Sequence, residues 1–399
     1  MKTSSMTSKP YLAGALATIC ALCLASASMA QPAANQQHEH PHPHQAASNG
    51  TETSVLDLRH STSLEAILPE LARARVVFVG ERHDSYGHHL AQLDVIKRLH
   101  QLNPQVAIGM EMFQQPYQSF LDGYVAGSIS EREMLQETEW YERWRHDYRL
   151  YQPVLQFARE QGIPVIALNM QREITDKVAE SGIDGLSEQD KASLPRTIDK
   201  SDKAYESRLR QVYHQHPPRE GREFSHFLEV QLLWDEGMAQ QVSDYLKANP
   251  ERQMIVLAGS GHLMHGSGIP NRVRRELGAE QFTVLPYDNQ QVVPGITDFI
   301  IYPEMAWLPP RGLMGVMMEP ADGGVRIGEL VPDGGASAAG VKKGDILQQI
   351  DQQQVGSPAD VRLQMLGKEP GDTVKLTVLR KHLLFGPKTL EFEVELQGG

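Results

Sequence analysis

Val76-Val77-Phe78-Val79-Gly80-Glu81-Arg82-His83-Asp84 (residues 76–84) begins as a β-branched and aromatic run and ends abruptly in charge. Four consecutive apolar residues of this kind, bounded by Gly80, read as a buried strand. Downstream, Leu90, Leu93, Ile96 and Leu99 recur every third residue and predict an amphipathic helix. Val106-Ala107-Ile108-Gly109-Met110 is a second strand ending at Glu111. A helix over about Pro153 to Glu160 stops at Gly162, a residue suited to a helix C-terminus. Pro164 then precedes a third strand, Val165 to Leu168, ending at Asn169. Phe227, Val230, Trp234 and Met238 mark a long helix, and a fourth strand, Met254 to Leu257, runs into Ala258-Gly259-Ser260-Gly261-His262.

Strands that alternate with helices predict an α/β fold, a mostly parallel sheet with flanking helices. In such sheets ligands bind beyond the carboxyl ends of the strands. Here those ends carry Glu81 and His83, Glu111, Asn169 and His262. Each alone has a bland explanation, as a cap, a satisfied histidine or an exposed acid. Four together at one rim predict a site. Residues 171–223 are polar and helical in composition, with Tyr205, Tyr213, His214 and His216, and predict a helical cap. The stretch 139–151 holds Trp140, Tyr141, Trp144, Tyr148 and Tyr151. Packing explains most such aromatics. Aromatic walls with Tyr and His nearby also suit a flat macrocycle, because both side chains ligate haem iron.

The chain has 399 residues, 40% of them hydrophobic, which is enough for two or three domains. A net charge of −12 argues against nucleic acid as a partner, since binding it needs clustered Lys and Arg. Lys2 and Lys9, the uncharged run Tyr11 to Leu24, and small residues through Ala30 predict a signal peptide over 1–30. The expected product is an exported protein of the periplasm or envelope. The residues before Cys20 and Cys23 match a lipobox poorly, which argues against a lipoprotein anchor. Both cysteines lie in that leader. Residues 31–54 read as a disordered His-rich spacer. There His38, His40, His42 and His44 are metal-ligand candidates by composition, against a plain solvated spacer.

The pieces VVFVGERHD (76–84), GMEMF (109–113), YQPVLQFAREQGIPVIALN (151–169), the helix around Gln231, Trp234, Asp235 and Met238, and AGSGHLMHGSGIPNR (258–272) resemble the ChaN-like haem-binding family over about residues 55–290. The resemblance implies an exported protein of iron acquisition. It would bind haem non-covalently, as cofacial pairs in a homodimer, through Tyr. Tyr148 and Tyr151 are the candidate ligands here, with His83 and His262 at the same rim. The domain is also similar, more distantly, to the erythromycin-esterase and TraB-like group. That likeness implies a metal- or water-activating hydrolase in which Glu81, His83, Glu111 and His262 would act, with a divalent metal as the alternative cofactor. A carboxylate–imidazole cluster is competent for either role. No HExxH pair and no Gly-x-Ser-x-Gly elbow is present.

Pro309-Pro310-Arg311-Gly312 closes a linker over 291–311. Beyond it, Leu313-Met314-Gly315-Val316, GASAAGVKKGDILQQIDQQQV (335–355) and PGDTVKLTVLR (370–380) resemble a PDZ domain over 312–396. That implies a peptide partner added as a strand, its terminal carboxylate held by the loop at Leu313, Met314, Gly315 and Val316. Leu313, Val316 and Leu363 or Leu366 would line the pocket for the last side chain. A third expectation, an envelope adaptor acting through this module alone, follows from the same resemblance.

Overall fold

The computed structural model describes residues 61–215, 223–381 and 386–399. The expected leader and His38, His40, His42 and His44 lie outside the described residues, as does His216.

The chain runs α1 (Leu64–Leu71), β1 (Val76–Glu81), α2 (Tyr86–Leu102), β2 (Val106–Gln114), α3 (Gln118–Val125), α4 (Glu131–Glu137), α5 (Trp140–Arg143), α6 (Gln152–Gln161) and β3 (Val165–Asn169). Next come α7 (Arg172–Ser181), α8 (Glu188–Lys191), α9 (Lys203–Gln215), α10 (Phe224–Ala248), β4 (Gln253–Gly259), α11 (Ile269–Leu277), β5 (Gln281–Pro286) and β6 (Phe299–Ile301). The six strands form one sheet in the order β3-β2-β4-β1-β5-β6, every pair parallel. The sheet expected from the sequence is present. β6, inside the stretch expected to be linker, extends it past residue 290.

Both faces are covered, which explains why the strands read as continuous apolar runs rather than alternating ones. Val77 and Val79 face a core shared with α1, α2, α3 and α6, whereas Val76 and Phe78 face one shared with α10 and α11. β4 divides in the same way, Ile255 and Leu257 to one side, Met254 and Val256 to the other. Gly80 sits where β1 meets its neighbours: a Cβ there would stand 2.5 Å from a Leu285 methyl and 2.8 Å from Ser260 Oγ. Ser63 and Ser130 cap α1 and α4, and Gly162 ends α6 in the left-handed conformation, as predicted.

The rest is antiparallel. β7 (Gly312–Leu313), β8 (Val316–Ala321), β9 (Gly324–Leu330), α12 (Gly335–Ala338), β10 (Ile346–Ile350), β11 (Gln353–Gln354), α13 (Pro358–Gln364), β12 (Thr373–Arg380), β13 (Lys388–Glu395) and β14 (Gln397–Gly398) follow in turn. Their main sheet has the order β13-β12-β10-β9-β8, so β8 is an edge strand, and β14 pairs with β7. Among the described residues, no helix is long and apolar enough to cross a membrane.

Candidate functional site

The site is built where β1, β2 and β4 end. Glu81, the last residue of β1, is buried. Its Oε1 lies 2.5 Å from His83 Nδ1 and its Oε2 2.8 Å from His89 Nδ1 on α2. The Tyr151 hydroxyl donates to the same carboxylate at 3.2 Å. Burial opposes ionisation of Glu81, but His89 and His83 outweigh it and hold the carboxyl well below the usual range. Glu81 therefore fixes the orientation of the His83 ring.

Glu111 comes from β2. The run ending at Met110 predicts the strand end there, yet β2 continues to Gln114. The reason is local: pairing with β4 stops at Met110, and pairing with β3 skips from Met110 to Gln114. Glu111 sits in that irregular stretch, its Oε2 accepting from the Gly259 N–H at 2.7 Å and its Oε1 3.6 Å from His262 Nε2. Gly259 is required here. A Cβ on it would stand 2.9 Å from His83 Cε1 and 3.6 Å from Glu111 Oε2. Asn169 Nδ2 donates to the Glu111 carbonyl at 3.1 Å.

His262 Nδ1 lies 2.7 Å from Oδ1 of Asp235, a buried residue of α10. The Tyr205 hydroxyl of α9 donates to Asp235 Oδ2. Glu236 beside it pairs with Arg272 Nε at 3.0 Å and Arg275 Nη2 at 2.5 Å. The structure thus brings together all of Glu81, His83, Glu111 and His262, and adds His89, Asp235 and Tyr205. Asp235 lies in a quoted motif but carries no role there. Its helical spacing reads as an ordinary polar face, and only the elements around residues 262 and 272 reveal that this face is inward.

Tyr148 and Tyr151 are placed differently from expectation. Both are buried in the core beneath the rim, edge-on to Trp140. Tyr148 donates to Glu131 Oε1 at 2.8 Å and Tyr151 to Glu81. Burial, and next the carboxylate beside each, pushes both phenols well above their ordinary range. Both side chains are fully buried and neither lines the cleft beside the rim, so the geometry speaks against these two as ligands. The packing role of the aromatic stretch prevails at both.

A cleft opens beside the cluster. Met112, Trp144, Met170 and Trp234 give it apolar walls, Arg143 and Arg172 supply cations, and His83 and His146 present imidazole. His146 is half-buried. Burial, and next the neighbouring His83, lowers it to about 4. Its ring stays neutral at pH 7 and keeps the lone pair that a metal ligand requires. Water centres have about 80 Å³ to occupy in this half-open cleft, room for several waters at ~10–15 Å³ each. The residues therefore suit haem in kind, and the cleft opens to solvent on one side. Among the described residues, no group of three or more His, Cys, Asp or Glu is arranged to hold a metal ion.

In the C-terminal module, Met314 turns into the core, Gly315 has φ 75° and Val316 opens β8. Gly315 packs against Gly334, and its conformation favours a residue without Cβ.

A doubly covered parallel sheet with a carboxylate–imidazole rim, followed by an antiparallel β-rich module, defines a two-part α/β and β protein. The chain belongs to the family described as haem-binding uptake, Tiki superfamily, ChaN, whose model matches residues 67–273, and a PDZ domain model matches 312–396. A curated relative, the periplasmic pH-dependent serine endoprotease DegQ of Escherichia coli (strain K12), is 38% identical over 73 residues, 18% of this chain and 15% of that protein. The chain thus spans about one seventh of the length of that relative. The solved structure of cofacial heme binding to ChaN of Campylobacter jejuni is 19% identical, with a TM-score of 0.49, covering 60% of this chain and 91% of that one. The HtrA-type protease AlgW with a decapeptide is 20% identical, with a TM-score of 0.20, covering 23% of this chain and 30% of that one.

Proposed function

We propose that this chain is an exported, periplasmic or envelope-associated haem-handling protein of iron acquisition, whose PDZ module recruits a partner by its free C-terminus. Membership of the haem-binding family is the observation that carries the reading. The cleft supports it with a neutral imidazole at His146, a second ring at His83, aromatic walls, and Arg143 and Arg172 to meet propionates. Haem supplies a Lewis-acidic iron in a flat apolar disc. Such a disc would extend through the open side of the cleft, a position suited to being covered by a second copy of the chain.

Hemin added to the full chain should give a Soret band distinct from free hemin that survives desalting. His146→Ala should weaken retention. A desalted spectrum identical to that of the protein alone would sink the reading.

A second reading has its own support. The His262–Asp235 pair facing Glu111 is an oriented imidazole beside a carboxylate, the arrangement of a general base that activates water. Glu111→Gln should abolish ester or peptide turnover if this is the activity, with the fold retained. A screen without turnover by the unaltered chain would dismiss it.

A further inference from the structure

α13 lies against β8, the open edge strand of the C-terminal sheet, where an added peptide strand would run between the two. One side of α13 serves its own module, with Val361 in the PDZ core. The other side is taken by the α/β domain. Leu363, only 6% exposed, belongs to that domain's core, and Leu366 packs against it. One or other of these two is expected, with Leu313 and Val316, to line the pocket for a peptide's last side chain. Arg132 of α4 donates to Gln364 Oε1 at 3.1 Å, and the Arg362 guanidinium lies 5.9 Å from the ring centre of Tyr141 on α5. Arg311 pairs with Asp147 at 3.1 Å. The joint is loosely packed: a crevice of about 340 Å³ opens beside Arg132, Gln136, Asp360 and Gln364.

The segment under α13 continues into the cleft. Tyr141 meets Arg362, while Trp144 and His146, three and five residues on, line the cleft. The Trp140 indole N–H donates to the His146 carbonyl at 2.9 Å. Between the two cleft residues, Arg145 is held at φ 72°, a conformation costly for a side chain with a Cβ. Residues 140–147 are therefore a strained strap, with α13 on one side and the cleft on the other.

We propose that the joint is autoinhibitory: the α/β domain withholds Leu363 and Leu366 from the peptide groove, and capture of a C-terminal peptide lifts α13 off α4 and α5, loosening the strap and lowering the cleft's hold on its ligand. The inference rests on the reading of the two sites given above. Coupling of this kind is reciprocal, so a filled cleft disfavours the peptide by the same factor.

The test uses the full chain. A library of ten-residue peptides with free C-termini is selected on it, and the best binder becomes the probe. Arg132→Ala and Tyr141→Ala remove links of the joint without touching the groove, and unchanged melting checks that each folds. Both variants should bind the probe about fivefold more tightly, within the usual range of such couplings. Adding the probe to the unaltered chain should speed amide hydrogen exchange across 140–147, and lower hemin affinity about fivefold. Equal probe affinity in all three proteins, or exchange unmoved by the probe, overturns the coupling while peptide binding stands. A library without a binder for any of them removes the peptide reading and the coupling together. Faster exchange without any hemin binding refutes haem as the ligand and leaves the joint's role supported.

Discussion

Protonating His146 is costly in this fold, and the cost can be worked through. The ring is half-buried, and burial is the largest cause of its fall from 6.5 to about 4. His83, its ring centre 5.3 Å away, disfavours the imidazolium; Glu81 and Asp84 each favour it less strongly than His83 opposes it, and His89 adds the weakest opposition. A histidine lowered on folding contributes stability that is fully present above the unfolded value and lost as pH falls toward the folded one. At pH 5 the unfolded ring is almost wholly charged and the folded ring almost wholly neutral. The difference amounts to about 2 kcal/mol, reduced to about 1 kcal/mol for the part of the ring that water screens. Urea unfolding of the full chain and of His146→Gln, each at pH 7.5 and pH 5.0, isolates this contribution. The variant should lose about 1 kcal/mol less than the unaltered chain between the two conditions. Parallel losses, or a His146 NMR titration centred near 6.5, would refute the argument that the cleft excludes charge at this ring.

Further outcomes follow from the same geometry. Tyr151→Phe removes the hydroxyl bound to Glu81 and should cost about 1–2 kcal/mol in urea unfolding; a hemin spectrum changed by this variant would restore Tyr151 as a ligand. Gly259→Ala places a methyl against the His83 ring and should cost about 1–3 kcal/mol. A crystal structure of the variant with His83 undisplaced would contradict that reading. Glu81, depressed on folding, contributes stability present above its unfolded value near 4.5 and lost as pH falls below it. Glu81→Gln should flatten the acid limb of the stability profile between pH 5 and pH 3, and a limb of unchanged slope would count against it.

Much of the fold was legible because the sheet is covered on both faces. Val76 to Val79 and Met254 to Leu257 must be apolar on every side chain, and such runs announce themselves. The strand-end rule then located Glu81, His83, Glu111 and His262 without any knowledge of distances. Local irregularity was not legible. β2 runs to Gln114 because its partners change at Met110, a property of β3 and β4 rather than of its own residues. Nor could the aromatic stretch be sorted. A tyrosine whose hydroxyl meets a buried carboxylate has the same sequence signature as one that faces a ligand, so Tyr148 and Tyr151 were indistinguishable from true rim residues. His146, with no motif of its own, reaches the cleft through the left-handed turn at Arg145.

The charged residues beneath the rim bear on what it is for. Glu81, Glu111, Asp235, Glu236 and Arg272 are all buried, together with His83, His89 and His262. Taking so many ionisable groups out of water is expensive, and apolar residues of similar volume commonly stabilise a core as well or better. The network is therefore a poor device for stability alone. What it does provide is orientation: Glu81 sets His83, Asp235 sets His262, and Glu111 is pinned to the Gly259 amide between them. Losing any one partner would leave a buried charge uncompensated, at about 3–5 kcal/mol, so the rings are held in place by the cost of releasing them. Two imidazoles fixed on either side of a carboxylate, beside a cleft of apolar walls and guanidinium groups, form a preorganised binding surface. That rigidity, more than the identity of any single residue, is what supports the proposal that these strand ends serve the ligand.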